Sequence, residues 1–207
     1  MKSIKYLGLI IDNKLKWIDH ISHVKNKISR GIGIIRKAKA FVNKKCLHDL
    51  YYSFIYPYFL YCIEVWGNAV DSHLQPLCTL QNKIIRLVSF SYFRAHADTL
   101  FIKLEILPLH KICLHRISLM MYKYTHNMLP PAMNEMYIRN DEVHNYNTRQ
   151  SKLLHIPNGS HIKNFRYRSV LLYNELIARN INFNVSLPKF KKIVKRFLLH
   201  NIVQLGY

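Results

Sequence analysis

Acidic residues are scarce in this sequence, and glycine, proline and cysteine are few. The 207 residues include 11 Asp and Glu against 31 Lys and Arg, which gives a formal net charge of +20. Six Gly and seven Pro argue against a turn-rich β architecture and favour helices. Half of the residues are apolar, so the composition is typical of a globular chain and excludes a disordered one.

The few cysteines, Cys46, Cys62, Cys78 and Cys113, form no CxxC pair. The first residues contain no uninterrupted apolar segment and no small-residue cleavage site, so we predict no secretory signal peptide. We therefore expect an intracellular protein, in the nucleus or the cytoplasm. Its thiols would be reduced and buried as small hydrophobic groups.

The positive charge is concentrated at both ends of the chain. Residues 1–40 contain ten Lys and Arg with two acids, and residues 151–207 contain ten with one. The residues between them are nearly neutral and more apolar. A field of this sign attracts polyanions, so we expect a nucleic-acid partner. The alternatives are lysines that only solvate helix faces, or an anionic membrane surface.

The stretch "LYYSFIYPYFLYCIEVWG", residues 50–67, is the most aromatic part of the sequence. Its 17 residues from Leu50 to Trp66 are at the short limit for crossing a bilayer, and Pro57 and Glu64 interrupt them. A helix that is apolar all round is more often buried between neighbours. We therefore predict no membrane span, but a central helix buried on most sides that ends at Trp66.

Apolar periodicity predicts a mainly α fold with a short N-terminal β element. "IKYLGLII", residues 4–11, is typical of a strand followed by a turn. Apolar steps of three, four or seven predict the helices, and Ser, Asn and Asp residues mark their starts. The predicted helices cover about residues 16–41, 44–64, 71–88, 100–129, 165–179 and 187–202. Gly31 and Gly33 are expected to weaken the first of them.

Several separated motifs, in this order, resemble the C-terminal part of the reverse transcriptases of non-LTR retrotransposons, the Jockey/CR1-like group. They are "KYLGLIIDNKLKWIDHI" (5–21), "LYYSFIYPYFLYCIEVWGNA" (50–69), "LQNKIIRLVS" (80–89), "HNYNTRQ" (144–150) and "FRYRSVLLYNEL" (165–176). Where the family usually has a Trp-Asn pair, this chain has Tyr173-Asn174, so an aromatic ring is retained.

The resemblance implies two domains. Residues 1–94 would form the primer-grip strand and a three-helix, thumb-like bundle that contacts a template–primer duplex. Residues 95–207 would form a helical C-terminal extension with a loop at about 138–164. Tyr6, Leu7 and Gly8 match the primer grip of the family, where a glycine allows close approach to a sugar-phosphate backbone.

Basic side chains are the candidate contacts to RNA or DNA phosphates. Those on the first long helix are Lys25, Lys27, Arg30, Lys37 and Lys39, and those elsewhere are Arg149, Lys191, Lys192, Lys195 and Arg196. Arg149 lies in "HNYNTRQ", whose tyrosines could stack on bases, although a loop held by Asn and Thr side chains is the simpler interpretation.

Nothing in the sequence predicts catalysis or a cofactor. The family holds its Mg²⁺ with a Tyr-x-Asp-Asp hairpin in the palm, and this sequence contains no such motif. The adjacent acids Asp141 and Glu142 are expected on the surface, and His20 and His23 are expected to be a solvated pair and not a zinc site. The predicted partners are therefore the template–primer duplex and the palm and fingers of the parent polymerase, with no membrane and no small-molecule substrate.

One alternative is a non-catalytic helical module that binds another protein, or an inactive gene remnant. In that case an apolar patch near residues 6–11 and Trp17 would remain exposed and favour self-association.

Overall fold

The computed structural model describes residues 3–143, 150–151, 153–156 and 164–201. They group into two compact units, Met1–Cys113 and Leu114–Tyr207, and each is described by itself. The predicted mainly α fold class is confirmed. The predicted boundary after residue 94 does not coincide with this grouping, and the functional division of the chain stays a prediction.

A two-stranded hairpin opens the first unit. Strands β1 (Ser3–Tyr6) and β2 (Leu9–Asp12) pair antiparallel, with Ser3 opposite Asp12 and Tyr6 opposite Leu9. The single strand predicted over residues 4–11 is therefore wrong, because Leu7 and Gly8 form a tight turn between two strands. Both turn residues have positive φ, 45° and 87°, which suits the right-handed twist of a hairpin and favours glycine at the second position.

Helices make up the rest of the first unit. Helix α1 (Ile18–Ala38) packs against β2 and against α5 (Asp71–Val88). Along the chain, α1 and α5 are separated by α2 (Lys44–Phe54), α3 (Tyr56–Leu60) and α4 (Ile63–Trp66). Helix α6 (Ala97–Lys103) packs on α5. Asn43 caps α2, since its side chain accepts a 2.9 Å hydrogen bond from the Cys46 N–H.

The aromatic stretch does not form the single helix predicted over residues 44–64. Pro57 cannot donate the hydrogen bond that a continuous helix needs at its position, and the chain breaks at Ile55. A second break occurs at Cys62, whose φ is 49°. The carbonyl of Tyr61 is left without its helical partner at this break, and it accepts a 2.8 Å hydrogen bond from the Trp66 indole. The predicted end of the stretch at Trp66 is correct.

The broken helices keep one buried side and one exposed side. The buried side chains are Tyr51, Ile55, Phe59, Ile63 and Trp66, and the exposed ones are Phe54, Tyr58, Tyr61 and Val65. The prediction that this stretch is buried on most sides is therefore wrong. Among the described residues, no helix is long and apolar enough to cross a membrane.

Gln81 joins three parts of the first core. Its amide donates to the Tyr51 hydroxyl (3.1 Å) and to the Leu107 carbonyl (3.0 Å), and its oxygen accepts from the Leu109 N–H (2.8 Å). Burial raises the pKa of Tyr51 well above its ordinary value, so the phenol stays neutral. Its oxygen accepts the hydrogen bond from the Gln81 amide. These bonds attach the segment before α7 (Leu109–Thr125) to α5 and α2.

The second unit includes most of α7, α8 (Pro131–Asn134), α9 (Asn140–Val143), α10 (Phe165–Ala178) and α11 (Leu187–His200). The described part of the predicted loop at 138–164 contains regular structure, namely α9 and an isolated antiparallel bridge between Arg139 and Leu154. The Asn174 side chain accepts from the Leu154 N–H (3.0 Å) and donates to the Leu154 carbonyl (2.9 Å). Beside it, the ring of Tyr173 packs on Phe183.

Candidate nucleic-acid interface

The hairpin fixes the start of α1. The Asp12 carboxylate accepts hydrogen bonds from the backbone N–H groups of Lys14 (3.0 Å), Lys16 (3.0 Å) and Trp17 (2.7 Å). These bonds hold the pKa of Asp12 below its ordinary value, and the bond from the Lys16 N–H has the largest effect. The carboxylate therefore stays charged near neutral pH. Trp17 is buried, which makes its predicted place in an exposed patch wrong.

Helix α1 separates an apolar side from a basic side. Its buried residues are His20, Ile21, Val24, Ile28, Gly31, Ile32 and Ile35. Arg30 and Lys37 are seven residues apart, two turns of the helix, so both lie on the side opposite to Ile28 and Ile35, and both are exposed. A single phosphate backbone running along the helix could contact both cations.

Lys25 and Lys27 do not join that side. Residues two apart on a helix do not face each other, so these lysines lie on opposite flanks of α1. Lys25 is exposed and Lys27 is half-buried. Lys39 follows the helix, and its ammonium lies 4.9 Å from the centre of the Phe90 ring. The five lysines and arginines predicted from this helix are therefore divided among four places.

The predicted primer-grip residues form the tip of the hairpin. Tyr6, Leu7 and Gly8 are all exposed, and the Tyr61 hydroxyl donates a hydrogen bond to the Leu7 carbonyl. A Cβ on Gly8 would lie 3.5 Å from the Tyr61 ring, an ordinary contact, so the glycine is required by its φ of 87°. The tip is thus attached to the exposed side of the aromatic stretch, and its role as a primer grip stays a prediction.

The basic residues of the second unit lie on α11. Lys191, Lys192 and Arg196 are exposed and Lys195 is half-buried, whereas Phe190, Val194 and Leu198 of the same helix are buried. The Lys191 carbonyl lies 3.2 Å from Nε2 of His115, a buried side chain whose pKa burial lowers to about 4. Arg149 lies outside the described residues.

The two histidines that were weighed as a zinc pair have different surroundings. His20 is buried beside the rings of Trp17 and Trp66, and its Nδ1 accepts a 3.4 Å hydrogen bond from the Ile10 N–H. Burial lowers its pKa to about 4, so it is neutral at pH 7. His23, about one turn further along α1, is half-buried, so the solvated pair predicted at these positions is wrong for His20.

The acids and thiols show no metal-binding arrangement in the part of the chain that the structure describes, which contains no group of three or more His, Cys, Asp or Glu that could hold an ion. Asp141 pairs instead with Arg139 at 3.0 Å. All four cysteines lie in the described part of the chain and none forms a disulfide there. Only Cys113 is buried, so the prediction of buried thiols is wrong for Cys46, which is exposed. The absence of a cofactor remains a prediction.

Comparisons with known proteins bear on the resemblance. The chain is 30% identical over 92 residues to the RNA-directed DNA polymerase from mobile element jockey of Drosophila melanogaster. It is 32% identical over 88 residues to the corresponding jockey polymerase of Drosophila funebris. The chain is similar to polymerases of mobile elements. A third relative, 26% identical over 90 residues, is the Drosophila melanogaster protein named "Probable RNA-directed DNA polymerase from transposon X-element".

These matches confirm the predicted resemblance to reverse transcriptases of the Jockey group. Each covers 41% or 42% of this chain and 10% of the relative, so the chain spans about a tenth of the length of the curated relatives it matches. No family model matches the chain. No solved structure matches it either.

Two sets of residues were not among the candidates from the sequence. Exposed aromatic side chains follow α1 and α5, at Phe41, Phe90, Tyr92 and Phe93, and Arg94 is exposed beside them. Their signal in the sequence was the run "SFSYFR", residues 89–94, which combines rings and a cation after a helix. The second set is Gln81 and Asn174, whose side chains join parts of the two cores. Both lie in segments that resemble the family, but neither was a candidate functional residue.

Proposed function

We propose that this chain is part of a reverse transcriptase of a mobile element, and that it binds the template–primer duplex without reading its sequence. Arg30 and Lys37 would contact phosphates from the outer side of α1, and the hairpin tip would lie beside the primer strand. RNA-templated synthesis, with its Mg²⁺, would be performed by the palm and fingers of the parent polymerase. The chain by itself would be inactive as an enzyme.

The observation that carries the proposal is the exposed basic side of α1, in a chain of net charge +20 that is similar to RNA-directed DNA polymerases. Arg30 and Lys37 stand two turns apart on one side, a spacing of about 10 Å at 1.5 Å per residue. Phosphates along one strand are spaced so that two of them can be reached over this distance. Such contacts position a protein on a duplex and carry no sequence information.

The test is the salt dependence of duplex affinity. Each phosphate contact that is lost should reduce the slope of log K against log salt by about 0.9. Arg30→Gln combined with Lys37→Gln should therefore lower the slope of the full chain by about 2 for an RNA–DNA duplex. Fluorescence anisotropy of a labelled duplex over a range of salt concentrations measures it.

The matched control is Lys83→Gln combined with Lys103→Gln, which removes the same charge from exposed positions on α5 and α6 of the same unit. This variant should keep most of the wild-type slope. An affinity that does not change with salt, or an equal effect of both double variants, would overturn the assignment to α1.

The alternative function, a helical module that binds another protein, is favoured by the exposed side of the aromatic stretch. Phe54, Tyr58, Tyr61 and Val65 stay exposed along it, beside the exposed hairpin tip. A protein-binding module should form a discrete complex or dimer that Tyr58→Ser combined with Val65→Ser abolishes while duplex affinity is unchanged. Sedimentation velocity of the full chain distinguishes this outcome from a monomer.

A further inference from the structure

Four aromatic side chains are exposed where two helices of the first unit end. Phe41 is 87% exposed, Tyr92 90%, Phe93 82% and Phe90 48%. Single exposed apolar residues are common, but several large rings in two short segments indicate a binding surface. We call this surface the aromatic–basic end; it comprises Phe41, Phe90, Tyr92 and Phe93 with Lys39, Lys44, Lys45 and Arg94.

One contact brings the two segments together. The ammonium of Lys39, after α1, lies 4.9 Å from the centre of the Phe90 ring, after α5. The two helices also pack against each other. Phe41 is two residues from Lys39, and Tyr92 and Phe93 are two and three residues from Phe90, so all four rings belong to the same end of the unit.

The rings lie on a backbone held by hydrogen bonds. Helix α5 ends with bonds from the Phe90 N–H to Leu87 (3.3 Å) and from the Ser91 N–H to Arg86 (3.0 Å). This pattern normally has glycine at the position of Phe90, whose φ is 56°. The Ala95 N–H then bonds to Tyr92 (3.0 Å), and Nε of Arg86 donates to the Ala95 carbonyl (2.8 Å).

The backbone at Phe90 is left-handed, a conformation that it shares with Leu7, Cys62 and Glu105. A residue with a Cβ pays a steric cost in this conformation that glycine avoids. Strained positions of this kind cluster at binding sites, where the surrounding structure holds them in place. Phe90 is also half exposed, so its contribution to the core is limited.

The charge around the rings is of one sign. Residues 38–45 contain Lys39, Lys44 and Lys45, and residues 84–94 contain Arg86 and Arg94. Neither range contains an acidic residue. The cores of protein–protein interfaces are depleted of charged side chains, whereas rings among cations are what single-stranded nucleic acids bind, through base stacking and phosphate contacts.

We propose that the aromatic–basic end binds unpaired nucleic acid. Bases would stack on the faces of Tyr92, Phe93 and Phe41, and Lys39, Lys44, Lys45 and Arg94 would neutralise the phosphates between them. Because rings recognise the faces of bases and not the sugar, DNA and RNA strands should bind with similar affinity. The proposal rests on the proposed function only in that the chain binds nucleic acid. The residues of the aromatic–basic end differ from Arg30 and Lys37, which are proposed to bind the duplex.

The test is the affinity of the full chain for a labelled twelve-nucleotide thymidine strand. Tyr92→Ala combined with Phe93→Ala should weaken it at least tenfold, since each stacked base contributes severalfold to affinity. Tyr92→Phe, which keeps the ring, should bind within about twofold of the wild type. Tyr58→Ala, which removes an exposed ring from the aromatic stretch, is the matched control and should not change the affinity.

A second readout reports stacking directly. Trp17 and Trp66, the two tryptophans of the chain, are buried. Tyr92→Trp therefore places one exposed indole at the aromatic–basic end, and the thymidine strand should quench its emission. A uridine strand of the same length should give the same quenching. Unchanged emission at saturating strand would overturn the proposal.

The outcomes separate this proposal from the proposed function. If duplex affinity is unaffected by the α1 variants but the ring variants lose the thymidine strand, the assignment of the duplex to α1 fails and this proposal stands. If ring removal leaves strand affinity unchanged, the proposal is wrong. Loss of self-association or of vesicle binding in the ring variants, with strand affinity unchanged, would assign the rings to another copy of the chain or to a lipid surface and overturn it equally.

Discussion

The interior and the outer surface of the first unit use polar side chains in opposite ways. Inside, Gln81 makes three hydrogen bonds, and His20 is kept neutral by burial. Outside, Arg30 and Lys37 face solvent. Buried polar groups need protein partners, whereas exposed cations can exchange their counterions for phosphates. Inner substitutions should therefore change stability, and outer ones should change binding while stability stays within about 0.5 kcal/mol.

The largest effect is expected at Gln81. Gln81→Ala leaves the Tyr51 hydroxyl, the Leu107 carbonyl and the Leu109 N–H without their partner in the core. Each unsatisfied buried group costs about 1–3 kcal/mol, so we expect a loss of about 3 kcal/mol or more in the free energy of unfolding. Both tryptophans lie in the first unit, so urea unfolding followed by their fluorescence reports this loss.

Thr79→Ala is the control on the same helix, because Thr79 is exposed and its hydroxyl donates to the Gln75 carbonyl of its own helix. It should change the unfolding free energy by less than about 0.5 kcal/mol. A loss below about 1 kcal/mol for Gln81→Ala would show that the polar interior is not what joins α2, α5 and the start of α7.

A smaller effect is expected from pH, through His20. Its pKa is about 4 in the folded chain and 6.5 in the unfolded one, so the unfolded state binds more protons between these values. Stability should be fully present above pH 6.5 and decline as the pH falls towards 4, by up to about 2 kcal/mol at pH 5.

His20→Gln, which keeps an acceptor for the Ile10 N–H but cannot titrate, should remove this part of the pH dependence of tryptophan fluorescence melts. His115, with a pKa of about 4, should contribute separately through the second unit. Melts of the His20 variant that decline with acid as steeply as the wild type would contradict the assignment.

The smallest effect compares two glycines of α1, one inside and one outside. A Cβ on Gly31 would lie 2.4 Å from Cδ1 of Ile55 and 3.3 Å from the Phe54 carbonyl, whereas a Cβ on Gly33 would meet nothing within 4 Å. Gly31→Ala should destabilise the first unit by about 1 kcal/mol through overpacking. Gly33→Ala should stabilise it by about 0.5–1 kcal/mol through helix propensity.

Urea midpoints of these two variants therefore move in opposite directions, although the sequence change is the same. If both substitutions stabilised the chain, α1 would not approach the break at Ile55 as closely as the structure shows. Both glycines would then only weaken the helix, as the sequence predicts. The structure supports that prediction for Gly33 alone, where an added Cβ has room.

Periodicity predicted α1 and α11 well, because each has an apolar stripe at helical spacing whose residues are buried. It failed in the aromatic stretch, where nearly every residue is apolar and the pattern cannot locate a break. Pro57 indicated one interruption, but nothing local indicated the left-handed turn at Cys62. The Trp66 indole stabilises that turn by donating a hydrogen bond to the Tyr61 carbonyl.

The candidate site was predicted only in part, because a local pattern does not show which side chains tertiary packing brings together. The sequence identified Arg30 and Lys37 as cations of a helix but grouped them with Lys25 and Lys27, which lie on its flanks. It did not identify the aromatic–basic end, because Phe41 and Tyr92 come from distant parts of the chain. Only the packing of α1 on α5 brings their segments together.

Composition, local periodicity and ordered motifs are enough to predict the helical fold class, the basic character and the resemblance to mobile-element polymerases. Which glycine is crowded, which histidine is neutral and which rings remain exposed follow from the packing of the folded chain. Those properties depend on what a side chain meets across the core, and residues far apart in the chain supply it.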